Sequence, residues 1–123
     1  MPPPLIVNVV DGVSRDVSRA PRYRAVFLKD MEKIRPYCAA GEWGACAGFA
    51  AAAARAGVFE QAWQFVLAHY SREPDWGETL PEDCRVPAPH EFACPADQRI
   101  VFDSYPDALA WFLRKHGYIE TLP

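Results

Sequence analysis

A chain of 123 residues that is 50% apolar, 13% aromatic and 24% charged has the makeup of one globular domain, long enough to bury a core without metal or disulfide staples. Its formal net charge of −3 and pI near 5.5 exclude a protein whose whole surface attracts nucleic acid or anionic lipid. Resolved along the chain, nine basic residues face six acidic ones over 1–72, one faces seven over 73–97, and three face three over 98–123.

The start, Met1-Pro2-Pro3-Pro4-Leu5-Ile6-Val7-Asn8-Val9-Val10, lacks a basic leader and its apolar run is cut by Asn8, which reads as no signal peptide. No stretch approaches a membrane span, since the most apolar window, 44–59, is mainly alanine and contains Arg55. The expectation is a cytoplasmic protein of a bacterium or phage, with Cys38, Cys46, Cys84 and Cys94 as reduced thiols unless they hold metal.

Leu5 to Val10 is a β-branched run before Asp11-Gly12 and predicts a strand closed by a turn. Residues 22–28 read in two ways. Tyr23, Ala25 and Phe27 share one face of a strand, whereas Tyr23, Phe27, Met31 and Ile34 share one face of a helix. We favour a strand to Leu28, then a helix capped by Asp30 and stopped by Pro36.

Trp43 to Ala56 contains five consecutive alanines, the strongest helix formers, and Gly57 supplies the stop. Phe59, Ala62, Trp63, Val66 and Tyr70 then form one apolar stripe, so the two segments predict an αα-hairpin that ends by Pro74. With Ala50, Gly57, Ala62, Val66 and Pro74 so placed, residues 43–76 resemble a single tetratricopeptide unit. Cys46 stands where that repeat carries a large aromatic, and no second copy follows. The hairpin is therefore read as an ordinary helical pair without a peptide groove.

Residues 73–97 hold five of the twelve prolines and no apolar period, which predicts an extended loop. Arg99 to Phe102 predicts a short strand. Ser104 then caps a last helix, with Asp107 three residues on, Tyr105, Ala108, Leu109 and Phe112 as its buried stripe, and Gly117 at its end. The predicted class is α+β: one domain over 1–123, with a sheet of about three strands (5–10, 23–28, 99–102) packed on the hairpin and the C-terminal helix.

No Ser, Cys or metal motif of a known catalytic type occurs, so the chain is read as non-catalytic and without a cofactor. Cys84, His90 and Cys94 offer three zinc ligands if Cys38 or Cys46 completes a tetrahedron, but the chain lacks a tight Cys-x2–4-Cys knuckle. Cys46 and His69, on adjacent helices, are better explained as core packing than as a nucleophile pair.

The functional expectation rests on the acidic segment. Asp75, Glu78, Glu82 and Asp83, interleaved with Trp76, Leu80 and Phe92, mix steering charge with desolvatable anchors, as a surface for a protein partner does. That predicts a small protein-binding inhibitor of the anti-defence or immunity type. The alternatives are a nucleic-acid-associated protein using Arg15, Arg19, Arg22, Tyr23 and Arg24, where the tyrosine stacks on a base while arginines hold phosphates, and a zinc-stabilised accessory domain.

Overall fold

The computed structural model describes residues 7–10, 13–16, 23–73, 80, 82–87 and 93–120. Strands β1 (Val7–Val10) and β2 (Val13–Asp16) form one antiparallel ribbon with Val7 opposite Asp16 and Val10 opposite Val13. Four helices follow, namely α1 (Arg24–Ala39), α2 (Trp43–Ala56), α3 (Phe59–His69) and, near the end of the chain, α4 (Tyr105–Lys115). Between α3 and α4, β3 (Glu82–Cys84) pairs antiparallel with β4 (Arg99–Val101), placing Asp83 opposite Ile100.

The class is therefore α+β with an αα-hairpin, as the periodicity predicts. The strands differ from expectation: in place of one three-stranded sheet, the described residues form two separate two-stranded ribbons. Residues 24–28 are helical, because the helical face is the one the core accepts. Phe27 and Met31 are buried, with Tyr23 and Ile34 packed beside them, whereas a strand would have aimed Ala25 inward and left Met31 unplaced. Pro36 does not stop this helix. It lies in the last turn, removing one amide, and the chain stays helical to Ala39 before Gly41, at φ +95°, turns it. The 73–97 segment is likewise not wholly loop, since it contains β3 and runs into a 3₁₀ turn at Ala96–Gln98.

α2 is the centre of the helical layer. Phe49, Ala50, Ala51, Ala52, Ala53 and Ala56 are all buried, and α1 and α3 both pack on it. Alanine here gives high helix propensity and lets neighbouring backbones approach closely. At its end Gly57 takes φ +78°, while the amides of Gly57 and Val58 bond back to Ala54 and Ala53. That is the left-handed stop expected of glycine. α4 completes the core through Tyr105, Leu109, Ala110 and Leu113. Its start follows the sequence signal, with the Ser104 hydroxyl accepting from the Asp107 amide, and its end repeats the glycine device at Gly117. A smaller apolar cluster of Ile100, Phe102 and Ala108, flanked by Trp111 and Phe112, joins β4 to α4.

Candidate functional site

The densest polar arrangement lies where the β3–β4 ribbon meets α4. Trp111 and Lys115, four residues apart, present their donors from one face of α4. Asp83 on β3 meets both: its carboxylate accepts from the Trp111 indole N–H at 2.6 Å and from the Lys115 ammonium at 2.8 and 3.0 Å. Its Oδ1 also accepts from the Cys84 amide at 2.8 Å. Burial pushes the Asp83 carboxyl up, but the hydrogen bonds from Lys115, Trp111 and the Cys84 amide outweigh it and hold the group below the usual carboxylate range. A carboxylate so fully supplied with donors anchors β3 to α4. Beside it Glu82 pairs with Arg99 across the ribbon, at the exposed surface.

Cys84, the last residue of β3, forms a disulfide with Cys94, ten residues on in the connection that leads to β4. A second disulfide, Cys38–Cys46, links the last turn of α1 to the first turn of α2 and is fully buried. This corrects the expectation of reduced thiols. Both pairs close short loops, and no cysteine is free. The zinc reading loses its ligands in the same way: Cys84 and Cys94 are bonded to each other, and His90 lies outside the described residues. Among the described residues no group of three metal-ligating side chains converges. The Cys46–His69 pair is also absent, because Cys46 is in a disulfide and the His69 Nδ1 is 2.8 Å from the Phe65 carbonyl.

A second cluster, aromatic, sits where the starts of α2 and α4 meet the end of α3. Trp43 stacks on Tyr105 with ring centroids 4.7 Å apart, and Tyr70 adds a tilted contact at 5.7 Å. The Trp43 indole donates to the Ser71 carbonyl, the Tyr105 hydroxyl donates to the Trp43 carbonyl, and the Arg72 guanidinium covers Tyr70. On the other side Arg35 lies over the rings of Phe49 and Phe65 at 5.4 and 5.0 Å. These contacts satisfy the polar ends of half-buried aromatics and hold helix termini together.

Of the expected partner-binding residues, Asp75, Trp76, Glu78 and Phe92 lie outside the described residues. Leu80 packs against the main core, and Glu82 and Asp83 each hold a basic side chain of the same chain. Of the expected phosphate-gripping residues, Arg19 and Arg22 lie outside the described residues. The backbone of Arg15 is in β2, Tyr23 is half-buried against the core, and Arg24 opens α1 exposed. Lys115 and Trp111 were missed, although their i, i+4 spacing on a helix face is the kind of signal that marks a paired site.

An antiparallel ribbon docked on α4, beside a helical layer, with a disulfide at each of the two, defines a small disulfide-containing α+β domain. The chain belongs to the family described as sll0997 C-terminal domain, whose pattern it matches over residues 27–117. It is 34% identical, over 97% of its length, to a protein named probable thylakoid lumen protein sll0997 from Synechocystis sp. (strain ATCC 27184 / PCC 6803 / Kazusa). The chain spans 35% of the length of that relative. No solved structure matches.

These relations correct three expectations. The inhibitor acting through the acidic segment and the nucleic-acid binder using the Arg15 to Arg35 stretch both give way to this family. The cytoplasmic assignment gives way to a relative named for the thylakoid lumen. Two of the acidic charges assigned to a partner are engaged within the domain, and the cysteines assigned to a reducing compartment are bonded in pairs.

Proposed function

We propose that this chain is a non-catalytic, disulfide-stapled domain that folds and works in an oxidising lumenal compartment, as the name of its relative from the thylakoid lumen suggests. The observation that carries the reading is the pairing of all four cysteines into two short-range bonds. Disulfides persist in oxidising compartments and are rare where glutathione and thioredoxin keep thiols reduced. The saturated Asp83 supports the non-catalytic part, since this partly buried carboxylate already accepts from three donors. Any protein partner belongs to the same compartment and does not read Glu82 and Asp83 as free charges.

The test compares protein produced in an oxidising compartment with the same protein fully reduced. Closing loops of this length stabilises by roughly 2–3 kcal/mol for each bond. The oxidised form is therefore expected to melt at least about 10 °C above the reduced form. Equal melting temperatures for the two forms would contradict the reading. A hydrolytic or transfer activity that survives purification to homogeneity would overturn its non-catalytic part.

A further inference from the structure

The two disulfides differ in what surrounds them. Cys38 and Cys46 are both fully buried, between helices whose packing is the most extensive in the protein, so their bond is shielded and its loss leaves α1 held against α2. Cys84 and Cys94 are only half-buried: Cys84 ends β3, and Cys94 lies in the connection ahead of β4, so their bond cinches the link between two three-residue strands. A two-stranded hairpin of that length is marginal on its own. Beyond the disulfide, this ribbon is held by the Arg85 amide to the Gln98 carbonyl at 2.9 Å, the Glu82–Arg99 pair at the surface, the Ile100–Phe102 contacts with α4, and the grip of Asp83 on Trp111 and Lys115. Asp83 is the direct neighbour of Cys84, so the covalent bond and the polar anchor act on one strand end.

We propose that Cys84–Cys94 is a reducible clasp, opened by a dithiol reductant while Cys38–Cys46 stays closed, and that its opening loosens the β3–β4 ribbon from α4. A thiolate of the reductant attacks one sulfur of the pair, forming a mixed disulfide and releasing the other sulfur as a thiolate. The second thiol of the reductant then displaces the protein sulfur. Two electrons and two protons pass to Cys84 and Cys94, and the reductant leaves as its own disulfide. Access favours the half-buried pair, because a disulfide in the core is attacked only when the surrounding structure opens. The connection between β3 and β4 is then no longer cinched between Cys84 and Cys94, and the contact most exposed to the change is the Asp83 anchor beside Cys84. The helical layer, which does not contain the clasp, keeps its structure.

The inference rests on the same two disulfides as the functional reading, and the experiment separates the two. The oxidised full chain is first assayed for thiols in denaturant. Finding four there sinks the disulfide reading itself, and finding none passes to the next step. Native protein is then exposed to dithiothreitol, or in a second arm to a dithiol protein of the thioredoxin fold, and alkylated with a maleimide of added mass, the sites being located by peptide mapping. The expected result is label at Cys84 and Cys94 only. Hydrogen exchange at the amides of Cys84 and Arg85 should speed by about tenfold or more, with the α1 and α2 amides unchanged. The C84S/C94S double variant, with helicity checked by circular dichroism, should show the same exchange pattern without reductant. Label at all four cysteines together, label first at Cys38 and Cys46, or no label short of unfolding would overturn the proposal. So would ribbon exchange in the double variant as slow as in the oxidised protein.

Discussion

Lys115 reaches 32 residues back along the chain to place its ammonium against both carboxylate oxygens of Asp83, at 2.8 and 3.0 Å. With the Trp111 indole on the same carboxylate, this contact ties the ribbon to the last helix, two elements that share only a small apolar cluster. Asp83→Asn keeps the shape and removes the charge. It is expected to cost about 1–2 kcal/mol in denaturant unfolding, the loss of hydrogen bonds made to a charged acceptor, discounted because Lys115 is partly in solvent. Combined with Trp111→Phe, the two effects should be less than additive, which a double-mutant cycle measures. Full additivity would show that the two side chains do not act on one another.

The same carboxylate gives stability a pH dependence of known sign. Its folded-state pKa is lowered from an ordinary value of 3.8, so in acid the unfolded chain binds the extra proton and stability rises with pH through that region. The contribution is complete above the ordinary value and is lost as pH falls through the lower, folded-state value. Thermal melts below pH 4 should therefore fall more steeply for the natural protein than for Asp83→Asn. Parallel curves would remove Asp83 from the account.

Three glycines separate conformational need from available space. Gly44 lies in the first turn of α2 without a left-handed backbone, and a Cβ there meets nothing within 4 Å. Gly44→Ala should stabilise by about 0.5–1 kcal/mol. Gly57 has room for a Cβ but sits at φ +78°, so Gly57→Ala should cost about 1–2 kcal/mol. Gly41, at φ +95°, would in addition bring a Cβ to 3.1 Å from the Ser71 Cβ and 3.2 Å from its amide nitrogen. Its alanine variant should be the worst of the three. Equilibrium unfolding gives the order directly.

The alanine face of α2 makes a packing prediction. Ala50 and Ala53 are fully buried under neighbouring helices. Replacing either with Leu forces those helices apart and should cost about 1–3 kcal/mol, although leucine is nearly as good a helix former. An unchanged midpoint of denaturation would show that the helices are not in close contact there.

What the sequence made legible was whatever it encodes locally. The alanine run with Gly57, the stripe through Phe59, Ala62, Trp63 and Val66, and the Ser104–Asp107 cap all lie within a few residues of what they specify, and all appear where expected. Residues 24–28 are helical although strand and helix alike place Tyr23 and Phe27 on one face. The decision lay with Met31 beyond them and with the core that Met31 enters. Pro36 was overweighted: a proline in the final turn of a helix loses one hydrogen bond without breaking the turns before it.

The site was less legible because its bonds are distant in sequence. Nothing near Asp83 announces Lys115 or Trp111, and nothing near Glu82 announces Arg99. Seen alone, the acidic segment therefore resembles free charge awaiting a partner. The pairing of the cysteines is hidden for another reason. Their spacings of 8 and 10 suit short disulfide loops as well as they suit unpaired thiols, and the choice depends on compartment, which the chain's composition does not encode.

The most direct test of the central claim, a domain stapled by two local disulfides, is peptide mapping by mass spectrometry of the unreduced, alkylated protein. The predicted result is two linked peptide pairs, Cys38 with Cys46 and Cys84 with Cys94, and no alkylated cysteine. Four alkylated cysteines, or a bond crossing between the helical pair and the ribbon pair, would contradict it.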